Sequence, residues 1–174
     1  AGSEFEEDAF EDGLGFDGSG YGLGERSQRY AMIVDDGTIA RLDIQRYFLT
    51  TTTGNADGVD SWFRWWLADR SDWDVQLTNV TSGFAAMNLA GPASRDVLAR
   101  VCDADLSSEA RPYLSASEFT VAGVPSIVLR IGFVGELGYE IHVPTQYGRH
   151  VWEAIFEAGR AEGIRPFGVE AQRR

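Results

Sequence analysis

Residues 130–144 restrict the fold more than any other stretch of this sequence. Apolar residues alternate with polar residues or glycine on both sides of the segment Gly-Glu-Leu-Gly at 135–138. A period of two is typical of β-strands with one buried face, and glycine permits the positive φ that a tight turn can require. The pattern predicts a β-hairpin whose strands lie over about residues 126–134 and 139–143.

The predicted hairpin carries two carboxylates, Glu136 in the turn and Glu140 four residues later. Ionised carboxylates only accept hydrogen bonds, so the two acids together are suited to a ligand that carries N–H donors. Exposed acids are also common in hairpins. On spacing alone, a solvated Glu136 and an outward-facing Glu140 are the better interpretation.

The rest of the chain predicts alternating strands and helices. Val59, Trp62, Phe63, Trp66 and Leu67 have helical spacing, which predicts a helix over 56–70 with a buried stripe, capped by Asn55 or Asp57. A second helix opens at Gly91-Pro92, and a third runs from 145 to about 162. The predicted strands are 30–34, 38–42, 47–53, 75–81, 84–90 and 118–122.

This order predicts an α+β fold. It comprises a ferredoxin-like split βαβ unit and an antiparallel sheet with the hairpin and a packed helix. Residues 1–29 read as an acidic flexible leader, and Gly2 to Phe5 match what common cloning sites encode. Residues 30–174 form the predicted folded region.

Composition excludes several classes of function. The 27 acids and 15 bases give a formal charge of −12, which argues against a nucleic-acid partner. Every base is arginine, so no lysine is present for a Schiff base or a Walker-type loop. The single cysteine, Cys102, fits a small core residue and a cytoplasmic protein, and with two histidines no metal site is expected. The sequence predicts neither a membrane span nor a signal peptide.

Asp35 and Asp36 precede a glycine between two apolar segments, where an Asp-Gly step favours a turn. Shaping that turn is a sufficient explanation for both residues. The Thr-rich end of the strand over 47–53, followed by Gly54 and Asn55, similarly reads as a strand-to-helix junction.

Four segments in order resemble the folate-binding aminomethyltransferase family, which includes the glycine-cleavage T-protein, dimethylglycine dehydrogenases and the sarcosine oxidase α subunit. The likeness is greatest to the C-terminal folate domain of heterotetrameric sarcosine oxidase α subunits, of which this chain resembles a part. The segments are Ile-Val-Asp-Asp-Gly-Thr-Ile-Ala-Arg at 33–41, Thr-Thr-Thr-Gly-Asn at 51–55, Met-Asn-Leu-Ala-Gly-Pro-Ala-Ser at 87–94 and Gly-Phe-Val-Gly-Glu-Leu-Gly-Tyr-Glu-Ile at 132–141.

The resemblance implies a tetrahydrofolate-dependent one-carbon transfer domain of a sarcosine oxidase-like enzyme. Such a domain receives the iminium formed from a small N-methyl amine on a flavin (FAD) domain outside this chain, and gives 5,10-methylenetetrahydrofolate. Partners would be other domains or subunits of a sarcosine oxidase complex. By the same resemblance, Asp36 is the catalytic carboxylate that orients the amine, and Glu136 binds the pterin.

Asp35, Asn55, Tyr139 and Glu140 are weaker candidates for folate binding, and Tyr139 fits a core role equally well. Two other functions remain open. One is a non-catalytic module with a structural or assembly role. The other is a T-protein-like aminomethyltransferase without an oxidase partner, against which the Asp-Asp-Gly-Thr and Thr-rich forms argue.

Overall fold

The computed structural model describes residues 15–17, 25–27, 31–34, 37–70, 72–132 and 134–168. Asp35 and Asp36 therefore lie outside the described residues. The strands are β1 (Gly15–Asp17), β2 (Glu25–Ser27), β3 (Ala31–Val34), β4 (Gly37–Asp43), β5 (Arg46–Thr51), β6 (Phe84–Ala90), β7 (Ala116–Val121), β8 (Val124–Leu129) and β9 (Gly138–Pro144). The α-helices are α1 (Ala56–Asp69), α2 (Ser94–Ala99) and α3 (Gly148–Ala158).

All strand pairings among the described residues are antiparallel. β1 pairs with β2, and β3, β4 and β5 form a sheet in that order. A four-stranded sheet has the order β6-β9-β8-β7. The predicted α+β class with an antiparallel sheet, a hairpin and a packed helix is confirmed.

The four-stranded sheet separates two hydrophobic clusters because successive side chains of a strand point to opposite faces. On one face, Tyr139, Ile141 and Val143 of β9 pack with α2 and α3. This cluster contains the buried residues Leu89, Val97, Leu98, Leu106, Val121, Val124, Val128, Tyr139, Ile141, Val143, Val151 and Ile155. The opposite face packs on the three-stranded sheet through Ala40, Leu42, Ala116, Ile127, Leu129 and Ile131.

Helix α3 is the packed helix of the prediction. A 3-10 turn over Thr145–Tyr147 leads into it, and Val151 and Ile155 are its buried residues. The predicted helical segment over 145–162 is thus confirmed in place, with a shorter α-helical part. None of the helices in the described ranges is long and apolar enough to cross a bilayer.

The predicted buried stripe of α1 is wrong. The helix forms at the predicted residues, yet none of its side chains is buried, and Trp62 is 57% exposed. Helical periodicity identifies an apolar face, but burial needs a second surface against it. The described part of the chain provides no such surface.

Three predicted bounds also differ from the structure. The strand over 75–81 does not form, because residues 73–80 have no neighbouring strand in the described ranges. The predicted split βαβ order included this strand, so that order is not observed there. The first hairpin strand ends at Leu129, well before residue 134. Helix α2 begins at Ser94, two residues after Pro92.

Candidate functional site

The hairpin is formed by β8 and β9, which confirms the pairing predicted from sequence. Ile127 lies opposite His142, and Leu129 lies opposite Glu140. Residues 130–137 connect the strands as an irregular loop. Gly135 has a φ of 78°, which favours glycine. Gly138 is required for a different reason, since a Cβ there would lie 2.7 Å from the carbonyl oxygen of Ile131.

Two of the sequence motifs, far apart in the chain, meet at the carbonyl of Leu137. The Ser94 hydroxyl donates to this oxygen at 2.9 Å, and the Gly91 amide donates to it at 2.9 Å. Ser94 is only 3% exposed, so its hydrogen bond is shielded from water. The strand–helix junction over 87–98 thereby fixes the end of the loop from which β9 begins.

Glu136 is exposed in this loop, and within the described ranges its carboxylate makes no hydrogen bond or ion pair. It lies one residue before the anchored Leu137. Its backbone is therefore held, whereas none of the described residues holds its carboxylate.

Glu140 has a different environment on β9. Its Oε1 lies 2.6 Å from Nε2 of His142, and the two side chains are 19% and 5% exposed respectively. The two residues are two positions apart, so they share one face of the sheet. The imidazole also packs edge-on against the ring of Phe48 from β5, with the ring centroids 4.9 Å apart.

Asn88 extends this polar group. It lies opposite Glu140 in the register of β6 and β9, and cross-strand partners share a face. Asn88 is exposed because β6 is an edge strand. Asn88, Glu140 and His142 thus place an amide, a carboxylate and an imidazole together on one face of the sheet, beside β6.

Tyr139 points to the opposite face and is 1% exposed in the core. Its hydroxyl accepts a hydrogen bond from Nε of Arg95 at 3.3 Å, and this bond raises the pKa of Arg95 above its ordinary value. The guanidinium of Arg130 lies 5.2 Å from the Tyr139 ring centroid and donates to the Gly138 carbonyl at 3.1 Å. Tyr139 therefore supports the hairpin from beneath while Glu140 faces the other way.

Asn55 occupies the N-cap position of α1, as predicted, but its side chain makes no capping hydrogen bond. It is exposed, and in the described ranges no hydrogen bond, ion pair or ring contact joins it to the hairpin. Of the six predicted site residues, the structure places Glu136 in the loop of the hairpin, and Tyr139 and Glu140 on opposite faces of β9. The roles assigned to all six remain predictions.

Sequence reasoning missed His142 and Asn88. The alternation of β9 places Glu140 and His142 on one face, and this signal was present in the sequence. The partner of Asn88 depends on which strand lies beside β9, which the sequence does not state. No group of three or more potential metal ligands occurs in the portion of the chain that the structure describes.

Comparisons with known proteins agree with this architecture. A family model described as the GCVT N-terminal domain matches residues 24–174. The sarcosine oxidase subunit alpha of Rhizobium meliloti (strain 1021) is 41% identical over 155 residues, which are 86% of this chain and 15% of that protein. An aminomethyltransferase of Symbiobacterium thermophilum is 33% identical over 141 residues, covering 80% of this chain and 38% of that protein.

Among solved structures, the heterotetrameric sarcosine oxidase from Corynebacterium sp. U-96 in complex with pyrrole 2-carboxylate has a similar fold. The TM-score is 0.63 with 16% sequence identity, covering 82% of this chain and 69% of that chain. At this identity the likeness shows the fold alone. The chain spans about 15% of the length of the sarcosine oxidase relative given above.

Proposed function

The chain belongs to the GCVT N-terminal domain family, and from that premise we propose that it is a tetrahydrofolate-binding part of a sarcosine oxidase-like protein. The family predicted from the four sequence motifs is therefore confirmed. Similarity to both a sarcosine oxidase subunit and an aminomethyltransferase supports a domain of aminomethyltransferase type.

The proposed reaction is transfer of a methylene group from an iminium to the reduced folate. Two N–H nitrogens of tetrahydrofolate would bond to the methylene carbon while the carbon–nitrogen double bond of the iminium breaks. The two displaced protons would pass to the departing amine, which leaves as an ammonium ion, and the other product is 5,10-methylenetetrahydrofolate. Oxidation of the N-methyl amine would take place on a flavin domain or subunit outside this chain. The protein's own part is to position the reactants and to supply an electrostatic field.

The Glu140–His142 pair is the observation that carries the proposal. A pterin ring presents adjacent N–H donors, which a carboxylate can accept as paired hydrogen bonds. Glu140 lies on a regular strand, is half-buried and has one oxygen 2.6 Å from Nε2 of His142. The residues present therefore fit a reduced folate. Glu136 stays in the proposal as a second acceptor near the same strand end, and Asp36 as the carboxylate that orients the amine.

Titration of the purified chain with tetrahydrofolate, under reducing conditions and followed by calorimetry and tryptophan fluorescence, tests the proposal. Glu140→Gln keeps the size of the side chain and removes its charge, and Glu136→Gln does the same in the loop. Glu153→Gln on α3 is the matched control, since its side chain is 60% exposed and pairs only with Arg149 among the described residues.

We expect saturable binding in the wild type and in Glu153→Gln, and a loss of about tenfold or more in Glu140→Gln. If only Glu136→Gln lost affinity for tetrahydrofolate, the pterin would be assigned to the loop instead of to Glu140. A chain that is folded by circular dichroism and binds no folate would contradict the proposal.

A second candidate is a structural or assembly module, and the exposed face of α1 favours it. Trp62 and Trp65 are 57% and 61% exposed, and large apolar patches at protein surfaces often mark contact sites. Two results together would favour this candidate: the chain binds no folate, and it self-associates in a way that Trp62→Ser abolishes.

A further inference from the structure

His142 is a nearly inaccessible histidine for which the reaction proposed above names no role of its own. Its side chain is 5% exposed, and its Nε2 lies 2.6 Å from Oε1 of Glu140. An ionised carboxylate can only accept a hydrogen bond, so Nε2 must carry the hydrogen and donate it. One oxygen of Glu140 is thereby held in a fixed direction.

The surroundings of the imidazole leave it little freedom to turn. The ring of Phe48 packs edge-on against it at 4.9 Å between centroids. Its cross-strand neighbours are Ala86 on β6 and Ile127 on β8, which offer no competing polar group. Of these contacts, only Glu140 engages a ring nitrogen of His142 by a hydrogen bond.

The second oxygen of Glu140, Oε2, makes no hydrogen bond to the described residues. Glu140 Oε2 does not belong to the fully buried side-chain oxygens that lack a partner, so it is reachable from solvent. A half-buried carboxylate with one oxygen held and one free is preorganised for a ligand donor, because less side-chain freedom is lost on binding.

We propose that His142 is a positioning residue, which holds the Glu140 carboxylate so that Oε2 is presented to an N–H donor of the ligand. This inference rests on the proposed function for the identity of that ligand as a reduced folate. His142 acts through Glu140 and does not itself contact the ligand.

Replacing the imidazole by two different side chains separates its hydrogen bond from its packing. His142→Phe keeps a ring against Phe48 and removes the donor, whereas His142→Gln keeps an amide N–H near the position of Nε2. His150→Phe is the matched control, because the other histidine of the chain is exposed on α3 and bonds the Ala122 carbonyl.

We expect His142→Phe to raise the Kd for tetrahydrofolate about tenfold, and His142→Gln to restore most of the affinity. In the Glu140→Gln background, His142→Phe should have no further effect, since the group through which it acts is already lost. A purely structural role predicts changes in thermal stability without this coupling. Unchanged Kd in His142→Phe, beside a clear loss in Glu140→Gln, would overturn the inference and leave the proposed function intact.

A measurement without folate keeps the two proposals separable. NMR relaxation of the Glu140 side-chain methylenes should show a rigid side chain in the wild type and in His150→Phe, and a mobile one in His142→Phe. Equal mobility in all three would refute the positioning role even if the chain bound no folate. Absence of folate binding with the expected NMR result would contradict only the proposed function.

Discussion

Replacing Gly138 by alanine should destabilise the fold through steric contact alone. The new Cβ would lie 2.7 Å from the Ile131 carbonyl oxygen and 3.2 Å from the Gly132 Cα, both of them backbone atoms. Overpacking of this kind costs about 1–3 kcal/mol, while removing a glycine from the unfolded chain returns about 0.4–1 kcal/mol. We expect a net loss of roughly 1–2 kcal/mol in the free energy of unfolding.

Two other glycines provide the comparison. Gly135→Ala meets no atom within 4 Å but has a φ of 78°, so its cost comes only from the backbone conformation. The left-handed conformation costs about 1–2 kcal/mol, which the entropic gain partly offsets. Gly83→Ala has open space and no positive φ, so it should be neutral or slightly stabilising.

Urea denaturation, followed by tryptophan fluorescence and circular dichroism, measures the changes in the free energy of unfolding. They appear as shifts in the urea concentration at half-unfolding, with the dependence of that free energy on urea concentration unchanged. If Gly138→Ala unfolds at the same urea concentration as Gly83→Ala, the close approach of residues 131 and 138 is not a property of the folded protein. We also expect Gly138→Ala to bind folate more weakly than the wild type, because Glu140 lies two residues after Gly138.

Three further predictions concern the surroundings of the site. Ser94→Ala should lower the free energy of unfolding by about 1 kcal/mol in urea titrations, because the Leu137 carbonyl keeps its backbone partner; a loss near zero would contradict the buried hydrogen bond. The hydrogen bonds from Arg100 lower the pKa of Glu162 below its ordinary 4.5. The pair therefore stabilises the fold fully above pH 4.5, and this stabilisation is lost as the pH falls through the folded-state pKa of Glu162. The melting temperature of the wild type should therefore exceed that of Glu162→Gln at pH 7, and the difference should shrink as the pH is lowered. A difference in melting temperature that does not change with pH would refute this linkage. Burial raises the pKa of the Cys102 thiol, so iodoacetamide at pH 8 should alkylate it more slowly in the folded chain than in urea, and equal rates would show that the thiol is accessible.

The sequence alone determined the elements whose signal is local. The strand β6 occupies the residues predicted for it, and α1 ends one residue before its predicted bound. Helix α1 has a clear helical period in apolar residues, which follows from the geometry of the backbone, and β6 is an apolar run of strand length. The order of the four motifs was likewise sufficient to identify the family.

Hydrogen-bond partners and strand neighbours were not available from local pattern. The region over 75–81 has strand-like composition but remains without a strand because no neighbour pairs with it in the described ranges. Helix α1 likewise has the apolar face that the sequence predicts, although no described residue packs over that face to bury it. In both cases the missing information is the position of a second surface.

The candidate site shows the same division. Sequence located Glu136 and Glu140 and assigned the pterin to Glu136 by resemblance, but only the tertiary structure distinguished an exposed loop carboxylate from one held by a buried histidine. The anchoring of Leu137 by Ser94 likewise joins residues 43 positions apart. Periodicity along a chain fixes which face a side chain takes, whereas the partner on that face is fixed by how distant segments pack.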